Sequence, residues 1–245
     1  HGPTLIDHNI MLSEAGVRFA TQGVAMVHNL VCGALTDVGG GTTWRYTPYH
    51  MPHRTEVMGF MTFLHGDDRF YNNIFVQKYP AQDVLTRHDS DDGVDSENRV
   101  VGTWTFDEYP TFEEWSAQFD FSKPANMKAL EPVHFGHLPV WSEGNLYLGG
   151  AKAWKKEVNG QVVEGTSEDI RVELVEKDGK YYLDTNVYEF LGDFADRMIN
   201  TEILGKAFEP EQYFENPDRT PITFNTDYFG EHRGVTVIPG PFADA

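Results

Sequence analysis

The groups best suited to chemistry fall in one ten-residue run, Thr47-Pro48-Tyr49-His50-Met51-Pro52-His53-Arg54-Thr55-Glu56. Two imidazoles, a guanidinium, a phenol and a carboxylate stand close together in it. Pro48 and Pro52 each fix φ and withhold an N–H, so the run is extended or turning and not helical. His50 and His53, three apart, could share a metal, but Pro52 removes the helical geometry that serves such pairs, and neither Glu56 nor Gln77 completes a ligand set. The same side chains would make a polar clamp for sugar hydroxyls, or would satisfy backbone groups buried by a long loop. Glycoside hydrolysis needs two carboxylates flanking the bond; Glu56, Asp67 and Asp68 are those near the run. No Ser-His-Asp signature, P-loop or dinucleotide glycine motif is visible, and Gly39-Gly40-Gly41 has no helix after it to hold a phosphate.

Composition narrows the ligand. The 245 residues suffice for one large domain or two small ones. Thirty-eight acidic against 19 basic residues give a formal charge of −19, which argues against nucleic acid, an anionic membrane surface and a polyanionic glycan. A neutral ligand fits best. The 17 Phe, 11 Tyr and 5 Trp supply flat apolar faces that suit sugar rings and ordinary cores alike. Cys32 is the single cysteine, so an internal disulfide is excluded; set in Leu30-Val31-Cys32-Gly33, it reads as a small buried hydrophobe. No run is apolar for the ~18 residues a membrane helix needs.

The elements that must position the polar run show a faint repeat. Asn9-Ile10-Met11-Leu12, Asn29-Leu30-Val31-Cys32, Asn73-Ile74-Phe75-Val76 and Asn145-Leu146-Tyr147-Leu148 each place an asparagine before three mostly apolar residues. Short β-type runs with Asn at a corner suggest coils of a parallel β-helix, in which Asn tolerates left-handed backbone and stacks its amide on the next coil. An unrelated all-β fold with similar strand starts is the competitor. The polar run then lies in an insertion between Asn29 and Asn73, entered through Gly39-Gly40-Gly41 and Trp44 and left by a strand from Val57 to Phe63. Gly66-Asp67-Asp68-Arg69 reads as a turn into a strand from Phe70 to Val76. Thr111-Phe112-Glu113-Glu114 is a capping box that predicts a helix from Phe112 to Phe119. The acidic loop from His88 to Asn98 invites structural calcium but fails the EF-hand pattern, so a solvated loop is the better reading; no cofactor motif is present. Val158-Asn159-Gly160-Gln161 predicts a type I′ hairpin, and a second hairpin joins Ile170–Glu176 to Tyr181–Asp184 through Asp178-Gly179. The proline-containing tail from Glu209 wraps over the body. The expected division is coils with loop insertions over 1–150, then antiparallel hairpins and a wrapping tail of the same domain over 151–245.

Four stretches carry a resemblance: His1-Gly2-Pro3-Thr4-Leu5-Ile6-Asp7-His8-Asn9, Thr47 to Val57 with its Thr-Pro-Tyr-His-Met-Pro-His run, Gly66-Asp67-Asp68-Arg69-Phe70-Tyr71-Asn72-Asn73 and Asp227-Tyr228-Phe229-Gly230. Together the chain resembles glycoside hydrolase family 120, right-handed parallel β-helix β-xylosidases. The resemblance implies an all-β fold of right-handed coils with inserted loops and C-terminal antiparallel hairpins. It also implies a retaining exo-β-xylosidase releasing xylose from xylo-oligosaccharides. In that family the nucleophilic aspartate and the acid/base glutamate lie just before the segment matching His1-Gly2-Pro3, so the chain resembles a C-terminal portion whose catalytic pair is upstream of His1, on a further part of the same enzyme. His50, His53, Arg54 and Glu56 would then orient the non-reducing xylose, Arg69 would support the loop or approach a hydroxyl, and His1 would sit beside the acid/base residue. Arg54 departs from the smaller residue expected there. The other readings are a non-catalytic glycan-binding or structural β-helix, and a glycosidase of another pentoside. A homo-oligomer is consistent with long sheet faces that need covering, and the lone cysteine and small substrate favour a bacterial cytoplasm.

Overall fold

The computed structural model describes residues 2–37, 46–62, 64–79, 100–120, 122, 136–165 and 167–244. His1, Gly39-Gly40-Gly41, Trp44 and the acidic loop at 88–98 lie outside them. The architecture is mostly β, with parallel sheets and a few short helices.

The chain runs in successive turns that stack strand on strand. In the first turn β1 (Thr4–Asp7), β2 (Ile10–Met11) and β3 (Ala15–Phe19) follow one another. In the second, β4 (Val24–Val27), β5 (Leu30–Val31) and β6 (Ala34–Asp37) pair with them in parallel, Thr4 opposite Val24, Ile10 opposite Leu30 and Ala15 opposite Ala34. An antiparallel hairpin, β7 (Tyr46–His50) with β8 (Val57–Thr62), is inserted before the third turn. That turn adds β9 (Asp68–Tyr71) to β4 and β10 (Ile74–Val76) to β5. The fourth adds β11 (Val140–Glu143) to β9 and β12 (Leu146–Leu148) to β10, and β13 (Gln161–Val162) extends the second sheet beyond β12.

Stacking in register makes columns of side chains. Met26, Phe70 and Ser142 lie one above another inside, as do Val31, Phe75 and Tyr147, whose last two rings stack at 5.3 Å and 13°. The outward column Leu30, Ile74, Leu146 is equally buried, against Val172, Val187 and Leu191. The outward Ala25, Val27 and Tyr71 are covered by Ile199, Leu204, Phe214 and Phe224 of the C-terminal part. Burial on both faces is why these strands read as continuous apolar runs rather than alternating ones. Each Leu, Ile or Phe so buried contributes roughly 1.5–3 kcal/mol.

The asparagines form the corner spine. Asn9 donates its backbone N–H to Asn29 Oδ1 (2.9 Å), Asn29 to Asn73 Oδ1 (3.0 Å) and Asn73 to Asn145 Oδ1 (2.9 Å), and each side-chain Nδ2 donates to the same oxygen. Nδ2 also reaches a strand carbonyl: Ile6 from Asn29, Met26 from Asn73 and Phe70 from Asn145. The left-handed backbone expected of the asparagines falls instead on the residue before each: His8, His28, Asn72 and Gly144 have φ of 52–71°. That residue turns the corner, which frees the asparagine to point its amide along the stack. Glu157 closes the series: Asn145 donates to its Oε1 from Nδ2 (2.8 Å) and from the backbone (3.3 Å). Gly160 leaves room for it, since a Cβ there would come within 2.4 Å of Glu157 Cγ.

Two expectations need correction here. Val158 to Gln161 is not a hairpin. Val158 bridges Glu143 in parallel, β13 runs parallel to β12, and Asn159 (φ 50°) turns another corner of the stack. A left-handed Asn before Gly serves a coil corner as well as a type I′ turn, and local chemistry does not tell them apart. Residues 70–76 are likewise two strands of different sheets, broken at Asn72-Asn73. The helix is shorter than expected, Phe112–Ser116, but its capping box is present, with Glu114 N–H on Thr111 Oγ1 at 3.2 Å and Thr111 N–H on Glu114 Oε2 at 2.9 Å. The second hairpin forms as expected, β14 (Val172–Lys177) with β15 (Lys180–Thr185) around Asp178 and Gly179, both at positive φ. Beyond it lie β16 (Asp196–Arg197), the helix Thr201–Leu204, and β17 (Lys206–Ala207) paired with β18 (Gln212–Tyr213). β19 (Thr236–Val237) returns antiparallel to β16. The tail lies on the body: Gly240 donates to Asn72 O at 2.8 Å, and Arg233 binds the carbonyls of Ile238, Gly240 and Phe242.

Candidate functional site

The hairpin β7–β8 carries the polar run to its tip. Arg54 N–H closes the turn on Met51 O at 3.1 Å, and His53 takes left-handed backbone (φ 57°). His50 Nδ1 donates to Glu56 O at 3.0 Å, which fixes that ring across the turn. His53 Nε2 stands 2.8 Å from Glu215 Oε1, so the loop is tied to the C-terminal tail by an ion pair when the imidazole is protonated. Arg54 and Glu56 are exposed.

Beneath the hairpin lies a cluster that brings together distant parts of the chain. Gln22 is buried; its Oε1 accepts from Leu64 N–H (3.0 Å) and its Nε2 donates to Glu209 Oε2 (3.2 Å). Burial is the largest influence on the half-buried Glu209 carboxyl and raises it to about 7, against an opposing pull from the Gln22 hydrogen bond. A carboxyl in that range exchanges its proton near neutral pH and can serve a hydroxyl as donor or acceptor. Glu209 is the functional candidate that sequence reasoning missed: it lies in the tail, 187 residues from Gln22, with no motif to mark it.

Arg69 has a different place from the rest of the polar set. It is buried, its guanidinium donates to the carbonyls of Leu204 (2.6 Å), Lys206 (2.8 Å) and Asp67, and it pairs with Asp67 Oδ1 at 2.8 Å. Trp141 and Phe214 flank it, with ring centroids at 4.5 and 4.8 Å. Asp67 Oδ2 in turn accepts from Phe208 N–H at 2.6 Å. Arg69 therefore fastens the segment 204–208 to the sheet. Burial still outweighs Arg69 and holds Asp67 above the usual carboxylate range. It holds the fully buried Asp68, whose Oδ1 accepts from Val24 N–H, well above that range. Behind them Tyr109 donates to Asp37 Oδ2 at 2.6 Å and stacks on His137 at 4.1 Å. Cys32 is buried, its thiol pushed up to about 12 by desolvation, as a packing residue should be. No group of three or more His, Cys, Asp or Glu among the described residues is arranged to hold a metal ion.

His50, His53, Arg54 and Glu56 thus share one hairpin, which meets Glu215 through His53 and has the Gln22–Glu209 pair at its foot, while Arg69 lies apart under the segment 204–206. No protein-family model matches the chain, and no curated protein matches it. Among solved structures it is similar to the complex of XylC with xylose, with 29% sequence identity and a TM-score of 0.79. The match covers 99% of this chain and 34% of that one, so the chain spans about a third of the length of the xylose-binding protein it resembles.

Proposed function

We propose that the chain is the C-terminal portion of a right-handed parallel β-helix glycoside hydrolase, a retaining exo-β-xylosidase that releases xylose from xylo-oligosaccharides. Its own contribution is one wall of the substrate pocket; the catalytic aspartate and glutamate belong to the part of the enzyme that precedes it. The observation that carries this reading is the full-length likeness to a segment of xylose-bound XylC. The stacked parallel turns, the Thr-Pro-Tyr-His-Met-Pro-His run and a charge balance suited to a neutral ligand support it.

In this reading Arg54, Glu56 and the imidazoles of His50 and His53 meet the hydroxyls of the terminal xylose, and Glu209 completes the polar wall. Arg69 acts one layer down as a positioning residue, since its donors are engaged by Asp67 and the 204–206 carbonyls. The test is hydrolysis by the complete polypeptide. Release of xylose from xylobiose, with retained anomeric configuration in the first-formed product, is expected. Cleavage of a different pentoside with none of xylobiose would overturn the substrate, and saccharide binding without hydrolysis would favour a glycan-binding β-helix.

A further inference from the structure

A cleft of about 230 Å³ opens between the helix Phe112–Ser116, β11 and the segment 203–208. Its walls are aromatic. Phe112 lies nearly parallel to Trp141 (24°, centroids 6.4 Å apart), and Phe208 stands edge-on to Trp115 (85°, 5.3 Å). Phe112 and Phe208 leave 47% and 45% of their surface in solvent at this one opening. Both are held in place: Phe112 by the capping box at Thr111, Phe208 by its N–H on the buried Asp67 carboxylate.

The buried charges around the cleft are already engaged. Arg69 is paired with Asp67 and bonded to three carbonyls, and Lys206 lays its Nζ over the Tyr213 ring at 5.0 Å. The buried Arg69–Asp67 pair therefore has nothing to spare for an ionic ligand, and Lys206 is the lining charge that stays at the surface. A neutral ring with an apolar C–H face and hydroxyls at its edge would stack on the exposed phenyls and keep its hydroxyls in water. Position points the same way. Phe208 borders the cleft, and its neighbour Glu209 bonds Gln22, which accepts from Leu64 N–H at the foot of the hairpin. One short segment therefore joins an aromatic platform to the polar wall.

We propose that this cleft is a further sugar subsite, stacking the second or third pyranose of a neutral oligosaccharide whose terminal residue occupies the polar wall. It rests on the glycoside-binding reading above and adds to it a preference for longer ligands. The experiment is calorimetric titration of the complete polypeptide, and of its Phe112→Ala and Phe208→Ala variants, with xylose and with xylobiose and xylotriose in hydrolysis-resistant, sulfur-linked form. Half-exposed rings should be removable without loss of fold. Phe112, which belongs to no buried cluster, keeps the test sound if Phe208→Ala does not fold. The expected result is a dissociation constant for xylotriose about tenfold weaker in each variant, with xylose unchanged. Variants that bind xylotriose like the wild type would overturn the subsite and leave the proposed function standing. Equal weakening for xylose would also overturn it, placing the terminal residue in the cleft. A wild type that binds none of the three sugars would overturn both.

Discussion

Arg69 and His53 both entered as substrate-binding candidates, and their surroundings separate them. Arg69 is buried against Asp67 with three carbonyls on its guanidinium, whereas His53 makes one contact, to Glu215, near the surface. Replacing Arg69 by Met strands a buried carboxyl and three acceptors and should cost about 3–5 kcal/mol in urea unfolding. Lys would not restore the loss, because an ammonium cannot span the same fork of acceptors. His53→Ala should cost no more than about 1 kcal/mol, since half-exposed ion pairs contribute little, while, on the function proposed above, raising KM for xylo-oligosaccharides; an unchanged KM would make the loop purely structural. Sequence could not separate the two, because the partners of Arg69 are backbone carbonyls at Leu204 and Lys206, and backbone acceptors leave no mark on residue type. Glu209 escaped notice for another reason: its partner is a side chain, but one 187 residues away that only the fold brings to it.

At the level of elements, the asparagine spine was the most legible feature, because every rung needs the same side chain whatever the chain does between rungs. What stayed hidden was the preceding corner residue, which can be His, Asn or Gly and so shows no pattern. Asn73→Ala orphans the buried backbone N–H of Asn29 and one of its side-chain N–H groups together, and should cost roughly 2–6 kcal/mol at 1–3 per orphaned group. Asn9→Ala, at the outer rung, should cost far less; similar losses at both sites in urea titrations would refute the ladder as a cooperative element. Glu157 gives the ladder a pH dependence. Besides the Asn145 donors it accepts from Tyr147 OH at 2.9 Å and from Ser142 Oγ, yet burial dominates and raises it from 4.5 to about 7. The folded chain then holds this proton more tightly than the unfolded chain. Its contribution is fully present below pH 4.5 and is lost as pH rises to about 7, on the order of 3 kcal/mol in all. Glu157→Gln should flatten that part of the profile, and unfolding free energies measured between these pH values on both proteins check it.

Over the whole molecule, parallel stacking was foreseeable from the repeat, and the covering of its outer face by the C-terminal part was foreseeable only in outline. The spacing of proline suggested a wrap, but the pairing of β16 with β19 and the packing of Phe214 and Phe224 on Ala25 and Val27 depend on contacts with no period. A formal charge of −19 puts the folded chain under self-repulsion that salt screens. Its Tm should therefore rise between low salt and roughly 0.3 M NaCl, and a fall would show that local ion pairs outweigh the net charge. The ladder has one further consequence. Its rungs are 20, 44 and 72 residues apart along the chain, yet each step makes the same pair of bonds. Contour length and register are thus uncoupled: the fold measures position by amide contacts and is indifferent to how much chain is paid out between them. New recognition loops can be grown or exchanged at the two long excursions without re-indexing a single strand, which makes the scaffold a natural substrate for the diversification of specificity.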